Sequence, residues 1–67
     1  MKLWIARDSD DGLFLYNYEP CKDEILRRFA CGIKPNGEWS EEYELGSHLF
    51  PEVKFENSPQ EVELKLV

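Results

Sequence analysis

The sequence predicts a mainly β domain: a small antiparallel sheet, or a partly open barrel, of about five short strands with at most one short helix. Residues 8–12, which read Asp-Ser-Asp-Asp-Gly, form a turn signal between two apolar segments. The dipeptide Asn36-Gly37 accepts the left-handed backbone of a tight hairpin. Residues 39–45 and 61–66 alternate with the period of a strand. An α+β fold is the alternative.

The N-terminal segments predict a β-hairpin, with Lys2–Arg7 and residues 13–18 as its two strands. Alternation along these strands places two apolar sets on opposite faces. One set is Leu3, Ile5, Leu13 and Leu15, and the other is Trp4, Ala6, Phe14 and Tyr16. Because both faces are apolar, we expect the hairpin to be covered on both sides by other strands, a helix or a second subunit.

Residues 22–30 allow two interpretations. Apolar residues repeat there at helical spacing, at Ile25, Leu26, Phe29 and Ala30, after the acidic pair Asp23-Glu24 that suits a helix N-terminus. The alternative is a strand that runs through residues 29–33. We favour one or two helical turns.

The segment 39–45 is predicted to be a half-exposed strand. Trp39, Glu41, Tyr43 and Leu45 point one way, and Ser40, Glu42 and Glu44 the other. A turn at residues 47–51 is expected to tuck Leu49 and Phe50 into the core.

A short extended piece at residues 53–55 and a turn at 56–59 precede the last strand. In that strand Val62, Leu64 and Leu66 point inward and Glu61, Glu63 and Lys65 outward. The predicted core is Leu3, Ile5, Leu13, Leu15, Phe29, Trp39, Tyr43, Leu49, Phe50, Phe55, Val62, Leu64 and Leu66.

The length of 67 residues predicts one domain, residues 1–67. A domain of this size buries only about 60% of the surface that its unfolded chain exposes. Clefts that enclose a substrate measure roughly 300–1,000 Å³ and need a larger scaffold or a partner chain.

The charge balance narrows the classes of partner. Fourteen acidic residues against eight basic ones give a net charge of −6. This charge argues against nucleic-acid binding and against an anionic membrane surface, and it favours a basic protein as partner. The apolar run at residues 3–6 is too short for a signal peptide, so we expect a cytoplasmic protein with Cys21 and Cys31 as reduced thiols.

A calcium site is not supported. Asp8, Asp10 and Glu19 stand at the spacing of positions one, three and twelve of a calcium-binding loop. The sixth position, which must be glycine, is Leu13, and the fifth is Gly12, which carries no carboxylate. An acidic hairpin turn explains the same residues.

Zinc binding and nucleophilic catalysis lack their signatures as well. The chain has two cysteines, no Cys-x-x-Cys pair and a single histidine, His48, in a predicted turn. Two partly buried thiols and an exposed turn histidine account for these residues. We therefore expect no catalytic residue, no cofactor and no metal.

Three stretches carry a resemblance to a known group of sequences. They are KLWIARD with DGLFLY at residues 2–8 and 11–16, LFPEV at 49–53, and FENSPQEVEL at 55–64. Together they resemble short, uncharacterised open reading frames of gut bacteria and of their phages and mobile elements. The resemblance covers about half of the chain and implies a setting but no mechanism.

The candidate partner-binding residues lie in the two alternating strands. Trp39 and Tyr43 are either core residues or anchors for a partner, since large aromatic rings serve both purposes. Glu42, Glu44, Glu61 and Glu63 form either a solvated face that prevents edge pairing or an acidic docking surface.

These observations favour a small acidic protein-interaction domain without catalytic activity, whose partner is another protein, basic in charge, or a second copy in a homodimer. The alternative is a phage or mobile-element inhibitor that presents an acidic, nucleic-acid-like surface to a basic host protein. A subunit that contributes half of an enzyme site, and a nucleic-acid-binding β domain, are the remaining hypotheses.

Overall fold

The computed structural model describes residues 2–63, and within that range the chain is all β, with no helix. The six strands are β1 (Lys2–Arg7), β2 (Leu13–Tyr16), β3 (Cys21–Asp23), β4 (Arg28–Ala30), β5 (Glu42–Leu45) and β6 (Gln60–Glu63). Antiparallel pairing joins four of them in the order β5-β2-β1-β6, and β3 pairs with β4 in a second sheet. The mainly β prediction is confirmed, and the four-stranded sheet is open rather than closed into a barrel.

The first hairpin forms as predicted, although its second strand ends at Tyr16. The β1–β2 register pairs Ile5 with Leu15 and Ala6 with Phe14. In the turn, Asp8 N donates to Gly12 O at 2.8 Å, and the Asp10 side chain accepts a hydrogen bond from Gly12 N at 3.0 Å. The short polar side chains of the turn therefore satisfy its backbone, as the Asp-rich sequence indicates.

The helical interpretation of residues 22–30 is wrong, because this segment forms the β3–β4 hairpin. Asp23 Oδ1 accepts hydrogen bonds from the backbone N–H groups of Ile25 and Leu26, each at 3.0 Å, and Arg27 adopts a left-handed φ of 55°. Asp23 thus closes a tight turn instead of starting a helix. Ile25 and Leu26 point to solvent, so the apolar spacing did not mark a buried face. The alternative of a strand through 29–33 holds only up to Ala30.

The turn at residues 34–38 confirms the Asn-Gly prediction. Gly37 has a φ of 87°, a conformation that residues with a Cβ rarely adopt. Lys34 N donates to Glu38 O at 2.7 Å, and an isolated antiparallel bridge joins Ile33 to Trp39. This loop connects the small sheet to β5.

The four-stranded sheet has apolar clusters on both faces, as the hairpin pattern predicts. On one face, here called the hairpin face, the β3–β4 hairpin packs Phe29 against Ala6 and Tyr16, together with Phe55. On the other, here called the loop face, the segment 46–59 packs Val53 against Ile5 and Leu13. Each face therefore receives a different cover from the chain itself.

Four residues of the predicted core are exposed instead. The exposed fractions are 68% for Trp39, 52% for Tyr43, 40% for Leu49 and 42% for Phe50. β5 begins only at Glu42, so Trp39 lies in the preceding loop, and Tyr43 stands on an edge strand. Val53, which follows the turn at 47–50, covers the loop face, whereas Phe50 of the turn only borders the open part of that face. Leu64 and Leu66, also predicted to be core residues, lie outside the described residues.

Among residues 2–63, no helix offers the length and apolar character that crossing a bilayer requires.

Candidate functional site

An apolar groove of about 270 Å³ lies on the loop face of the four-stranded sheet. Antiparallel partners share a face, and the register pairs Leu3 with Val62 and Leu13 with Leu45. All four strands therefore contribute side chains to one surface. The groove is lined by Leu3, Ile5, Leu15, Leu45, Phe50, Val62 and Glu63.

The groove is open because the covering segment reaches only part of the loop face. Val53 seals the sheet over Ile5 and Leu13, whereas Leu3, Leu15 and Val62 stay partly exposed. Phe50 borders the groove with 42% of its surface exposed. An exposed apolar surface of this kind in a small domain is typical of an interaction site.

Arg7 holds the border of the groove in place. This residue is only 7% exposed, and its guanidinium group is directed into the loops that cover the sheet. It donates hydrogen bonds to the carbonyl oxygens of Val53 at 2.5 Å, Leu49 at 2.8 Å, Asp11 at 3.0 Å, Ser47 at 3.0 Å and Phe50 at 3.2 Å. Among residues 2–63 it forms no ion pair, since the pairs found there are Lys2–Glu61 and Lys22–Glu24. A charged group in this position is stabilised by backbone dipoles.

Ser58 completes the attachment of the loop to β1. Its hydroxyl accepts a hydrogen bond from Arg7 N at 3.1 Å and donates one to Lys54 O at 2.5 Å. Ser58 is 7% exposed, so these bonds lie away from water. Both the backbone and the side chain of Arg7 therefore connect the sheet to the segment 46–59, and the loop that carries Phe50 is held at several points.

The chemistry of the groove suits binding rather than catalysis. Six of the seven lining residues are apolar, and the exception is Glu63. The lining contains no histidine, cysteine, serine or lysine that could act as a nucleophile or a base. Its volume is just below the roughly 300–1,000 Å³ of typical small-molecule pockets. The groove therefore fits a few apolar side chains from another chain.

The four glutamates predicted to bind a partner share one face of the sheet, but it is the hairpin face and not the groove face. Glu42 and Glu44 lie on edge strand β5, opposite Tyr16 and Phe14. On edge strand β6, Glu61 and Glu63 lie opposite Trp4 and Lys2. Lys2 Nζ lies 3.7 Å from a carboxylate oxygen of Glu61. Two acidic edges therefore flank the hairpin face, and Glu63 also borders the groove.

Trp39 and Tyr43 do not share a strand face, contrary to the alternation of the sequence. Tyr43 lies opposite Leu15 on the loop face, beside the groove. Its hydroxyl donates a hydrogen bond to the Glu41 carboxylate, and this bond raises the pKa of Tyr43. Trp39 lies in the loop before β5 and pairs with Ile33. The structure thus brings one of these two aromatic rings to the groove and leaves the other apart from it.

A second, polar cleft of about 390 Å³ lies on the hairpin face and includes Asp8, Arg28, Cys31 and Glu42. Asp8 Oδ1 accepts a hydrogen bond from Phe29 N at 2.8 Å, which links the end of β1 to β4. Burial raises the pKa of the Asp8 carboxyl, and nearby carboxylates add to this effect, whereas the bond from Phe29 opposes it. Asp8 therefore has a structural role that accounts for its environment.

Burial also raises the pKa of Tyr16, with a further contribution from the neighbouring Glu42 carboxylate. Tyr16 is 1% exposed and belongs to the core beneath the cleft. A phenol held in its neutral form matches a role in packing.

The remaining candidates from the sequence are the acidic turn, the two thiols and His48. Within residues 2–63, no group of three or more His, Cys, Asp or Glu side chains could hold a metal ion. Cys21 is exposed and Cys31 is half-buried beside the hairpin-face cluster, and both are free thiols. Cys21 pairs with Ala30 across the small sheet, so alternation directs Cys21 and Cys31 to opposite faces. His48 lies in the turn after β5, and its ring approaches Gly46.

Five of the seven lining residues were predicted from the sequence as core residues: Leu3, Ile5, Leu15, Phe50 and Val62. Glu63 was predicted to bind a partner, and Leu45 was assigned to a strand face without being placed in the core. The available signal was a hairpin with two apolar faces, each of which needs a cover, in a small domain. Comparison with known proteins adds no further candidate, because neither a family model, nor a curated protein, nor a solved structure matches the chain.

Proposed function

We propose that this chain is a small, non-enzymatic interaction module of the cytoplasm whose groove binds a segment with apolar side chains flanked by basic residues. The observation that carries the proposal is the open groove, lined by partly exposed side chains such as Leu3, Leu15, Leu45 and Val62. Side chains that could be buried in a larger domain are here available to a partner.

The size of the groove favours modest affinity. Each apolar side chain removed from water contributes roughly 1.5–3 kcal/mol. Association costs about 4 kcal/mol or more in lost freedom of motion. A segment that inserts a few apolar side chains therefore gains only a small surplus, which is typical of reversible, regulated contacts.

Charge selects among apolar segments. The net charge of −6 and the carboxylate of Glu63 at the border of the groove favour a segment with lysine or arginine beside its apolar residues. Complementary charge raises the association rate and disfavours acidic competitors. The border of the groove is also preorganised, because Arg7 holds the backbone of Phe50. Little ordering of this loop is therefore needed when a partner binds.

A peptide-display selection tests this proposal. The full chain is the bait, and Phe50→Asp is the matched bait for counter-selection. Asp tolerates the left-handed φ of 48° at this position, so the loop is retained while a charge enters the groove. We expect enriched peptides with apolar residues next to Lys or Arg. In methyl NMR spectra they should shift the signals of Leu3, Leu15, Leu45 and Val62.

Two results would contradict the proposal: no enrichment over the Phe50→Asp bait, or shifts confined to residues away from the groove. Trp39→Ser serves as the control variant, since Trp39 is exposed but lies outside the lining. It should bind the selected peptides as the unmodified chain does.

As a second candidate, we propose an inhibitor that presents an acidic surface to a basic nucleic-acid-binding protein of a host. It is supported by the shared face of Glu42, Glu44, Glu61 and Glu63, and by the resemblance to reading frames of phages and mobile elements. Binding to such a protein should weaken steeply with added salt. Exchange of all four glutamates for Gln should abolish binding, whereas Phe50→Asp should preserve it. Salt-insensitive binding would exclude this mechanism.

A further inference from the structure

The tip of the β3–β4 hairpin exposes two adjacent apolar side chains. Ile25 is 92% exposed and Leu26 is 58% exposed, and both lie in the tight turn between the strands. Neither side chain belongs to a core cluster of residues 2–63. Within the described chain these two side chains bury little of their apolar surface, and they form a small apolar projection.

Several contacts hold this projection in a defined conformation. The Asp23 carboxylate accepts the two N–H bonds of the turn, and Ser9 N donates to Arg27 O at 3.1 Å. The Arg27 guanidinium carbon lies 4.9 Å from the centre of the Phe55 ring, a cation–π distance. The backbone of the tip is therefore attached to the main sheet, and the apolar pair projects from this turn.

The tip also carries basic residues on one side of its apolar pair. Arg27 and Arg28 follow the apolar pair directly, whereas Asp23 and Glu24 separate it from Lys22, so the hairpin holds three basic and two acidic residues. Lys22 partly neutralises Glu24 at 3.8 Å. The tip is thus an apolar pair with two arginines on its C-terminal side, and this side matches the segment proposed above, in which basic residues stand next to apolar ones.

One copy cannot fill its own groove with its own tip. The β3–β4 hairpin covers the hairpin face, whereas the groove lies on the loop face of the same sheet. The bond between Ser9 and Arg27 places the tip at the end of the sheet where β1 turns into β2. The two surfaces therefore point away from each other.

We infer that the groove binds a second copy of this chain: the Ile25–Leu26 tip of one molecule inserts into the groove of the next, and Arg27 and Arg28 approach the acidic border near Glu63. This inference rests on the proposed function of the groove. The contact is head-to-tail, so it produces rings or open chains rather than a two-fold dimer. The net charges of two copies oppose it only weakly, because physiological salt screens charges beyond about 8 Å.

Sedimentation velocity at protein concentrations up to about 1 mM tests the inference, since contacts of this size dissociate in that range. The unmodified chain should show an average mass that rises with concentration. The tip variant Ile25→Asp/Leu26→Asp and the groove variant Phe50→Asp should each remain monomeric. Trp39→Ser, which removes an exposed apolar side chain elsewhere, should associate like the unmodified chain.

Mixing the two defective variants provides the decisive measurement. The tip variant keeps an intact groove and the groove variant keeps an intact tip, so an equimolar mixture should form a dimer that grows no further. NMR spectra verify that each variant is folded, and Val62→Thr provides a second, isosteric groove variant. A monomeric unmodified chain, an associating single variant or a mixture that stays monomeric would each overturn the inference. If peptides still bind the groove of a monomeric chain, the proposed function stands and only the self-association fails.

Discussion

The guanidinium group of Arg7 donates a hydrogen bond to the carbonyl oxygen of Phe50 at 3.2 Å, and this contact connects the buried end of β1 to the border of the groove. Four more carbonyl oxygens share the same guanidinium group. The Arg7 side chain therefore holds, together with the hydroxyl of Ser58, the loop that shapes the candidate binding surface.

Arg7→Met should lower the free energy of unfolding by at least about 3 kcal/mol, because it leaves several carbonyl groups in the protein without donors. Arg7→Lys should be less damaging, since it keeps the charge but provides fewer and less well oriented donors. Urea unfolding followed by tryptophan fluorescence measures both changes. Lys54→Met, an exposed cation in the same loop, should stay within about 0.5 kcal/mol of the unmodified chain. An equally small effect of Arg7→Met would show that the carbonyl cluster is not needed for folding.

Asp8→Asn should make the protein more stable than the unmodified chain at neutral pH. Burial and the nearby carboxylates of Asp10 and Glu42 raise the pKa of Asp8 in the folded state, against the opposing effects of Phe29 N–H and Arg28. The folded state therefore binds the proton more tightly than the unfolded state, and the stability of the unmodified chain falls as pH rises from the unfolded pKa through the folded pKa. Asn removes this ionisation while its side-chain oxygen can still accept the bond from Phe29 N.

The measurement is the free energy of unfolding of both proteins between about pH 3 and pH 8, a range that begins below the ordinary Asp pKa. The advantage of Asp8→Asn should grow with pH across the titration of Asp8 and then level off. Glu38→Gln makes the same change in net charge at an exposed position and is the matched control. A difference in free energy of unfolding that stays constant, or that shrinks with rising pH, would contradict a raised pKa of Asp8 in the folded state.

Gly37→Ala should destabilise the protein by about 1 kcal/mol, because a residue with a Cβ is strained at a φ of 87°. No atom lies within 4 Å of the added Cβ, so the effect isolates the backbone conformation. Gly37→Asn should cost less, since Asn tolerates the left-handed region better than Ala does. Thermal unfolding monitored by circular dichroism gives the order of the three proteins, and equal stability of the Ala and Asn variants would rule out this explanation.

Trp39→Ser should change the free energy of unfolding by less than about 0.5 kcal/mol, because Trp39 is exposed and lies outside both core clusters. Phe29→Ala should cost about 3–5 kcal/mol, since Phe29 is buried between the two sheets. Denaturant unfolding of the two variants compares an aromatic residue that is exposed with one that is buried. A large loss of stability for Trp39→Ser would show that Trp39 packs in the core, contrary to this prediction.

Local chemistry accounts for the features that were predicted correctly. The Asp-rich turn at residues 8–12 and the Asn-Gly turn at 34–38 each contain the side chains that their backbone requires, and those requirements depend on few neighbours. The alternation of β1 and β2 likewise predicts two apolar faces, because side-chain direction in a strand follows from the backbone alone. The mainly β class follows from these short-range rules.

Burial was the source of the errors. The apolar spacing of Ile25, Leu26 and Phe29 indicates a helix only if all three residues face the core, and the fold leaves two of them in solvent. The same assumption assigned Trp39, Tyr43, Leu49 and Phe50 to the core. The number of apolar residues does not say how much of the chain is available to cover them, and within residues 2–63 the covering segments leave these side chains exposed.

The sequence by itself determined the strand-rich class, the two tight turns and the apolar pattern of the first hairpin, because each depends on residues that are close together along the chain. Tertiary structure alone decided that the β3–β4 hairpin covers one face, that the segment 46–59 covers only part of the other, and that Leu3, Leu15, Leu45 and Val62 line an open groove. The physical reason is that exposure depends on how distant segments share a limited covering surface, which short-range rules do not specify.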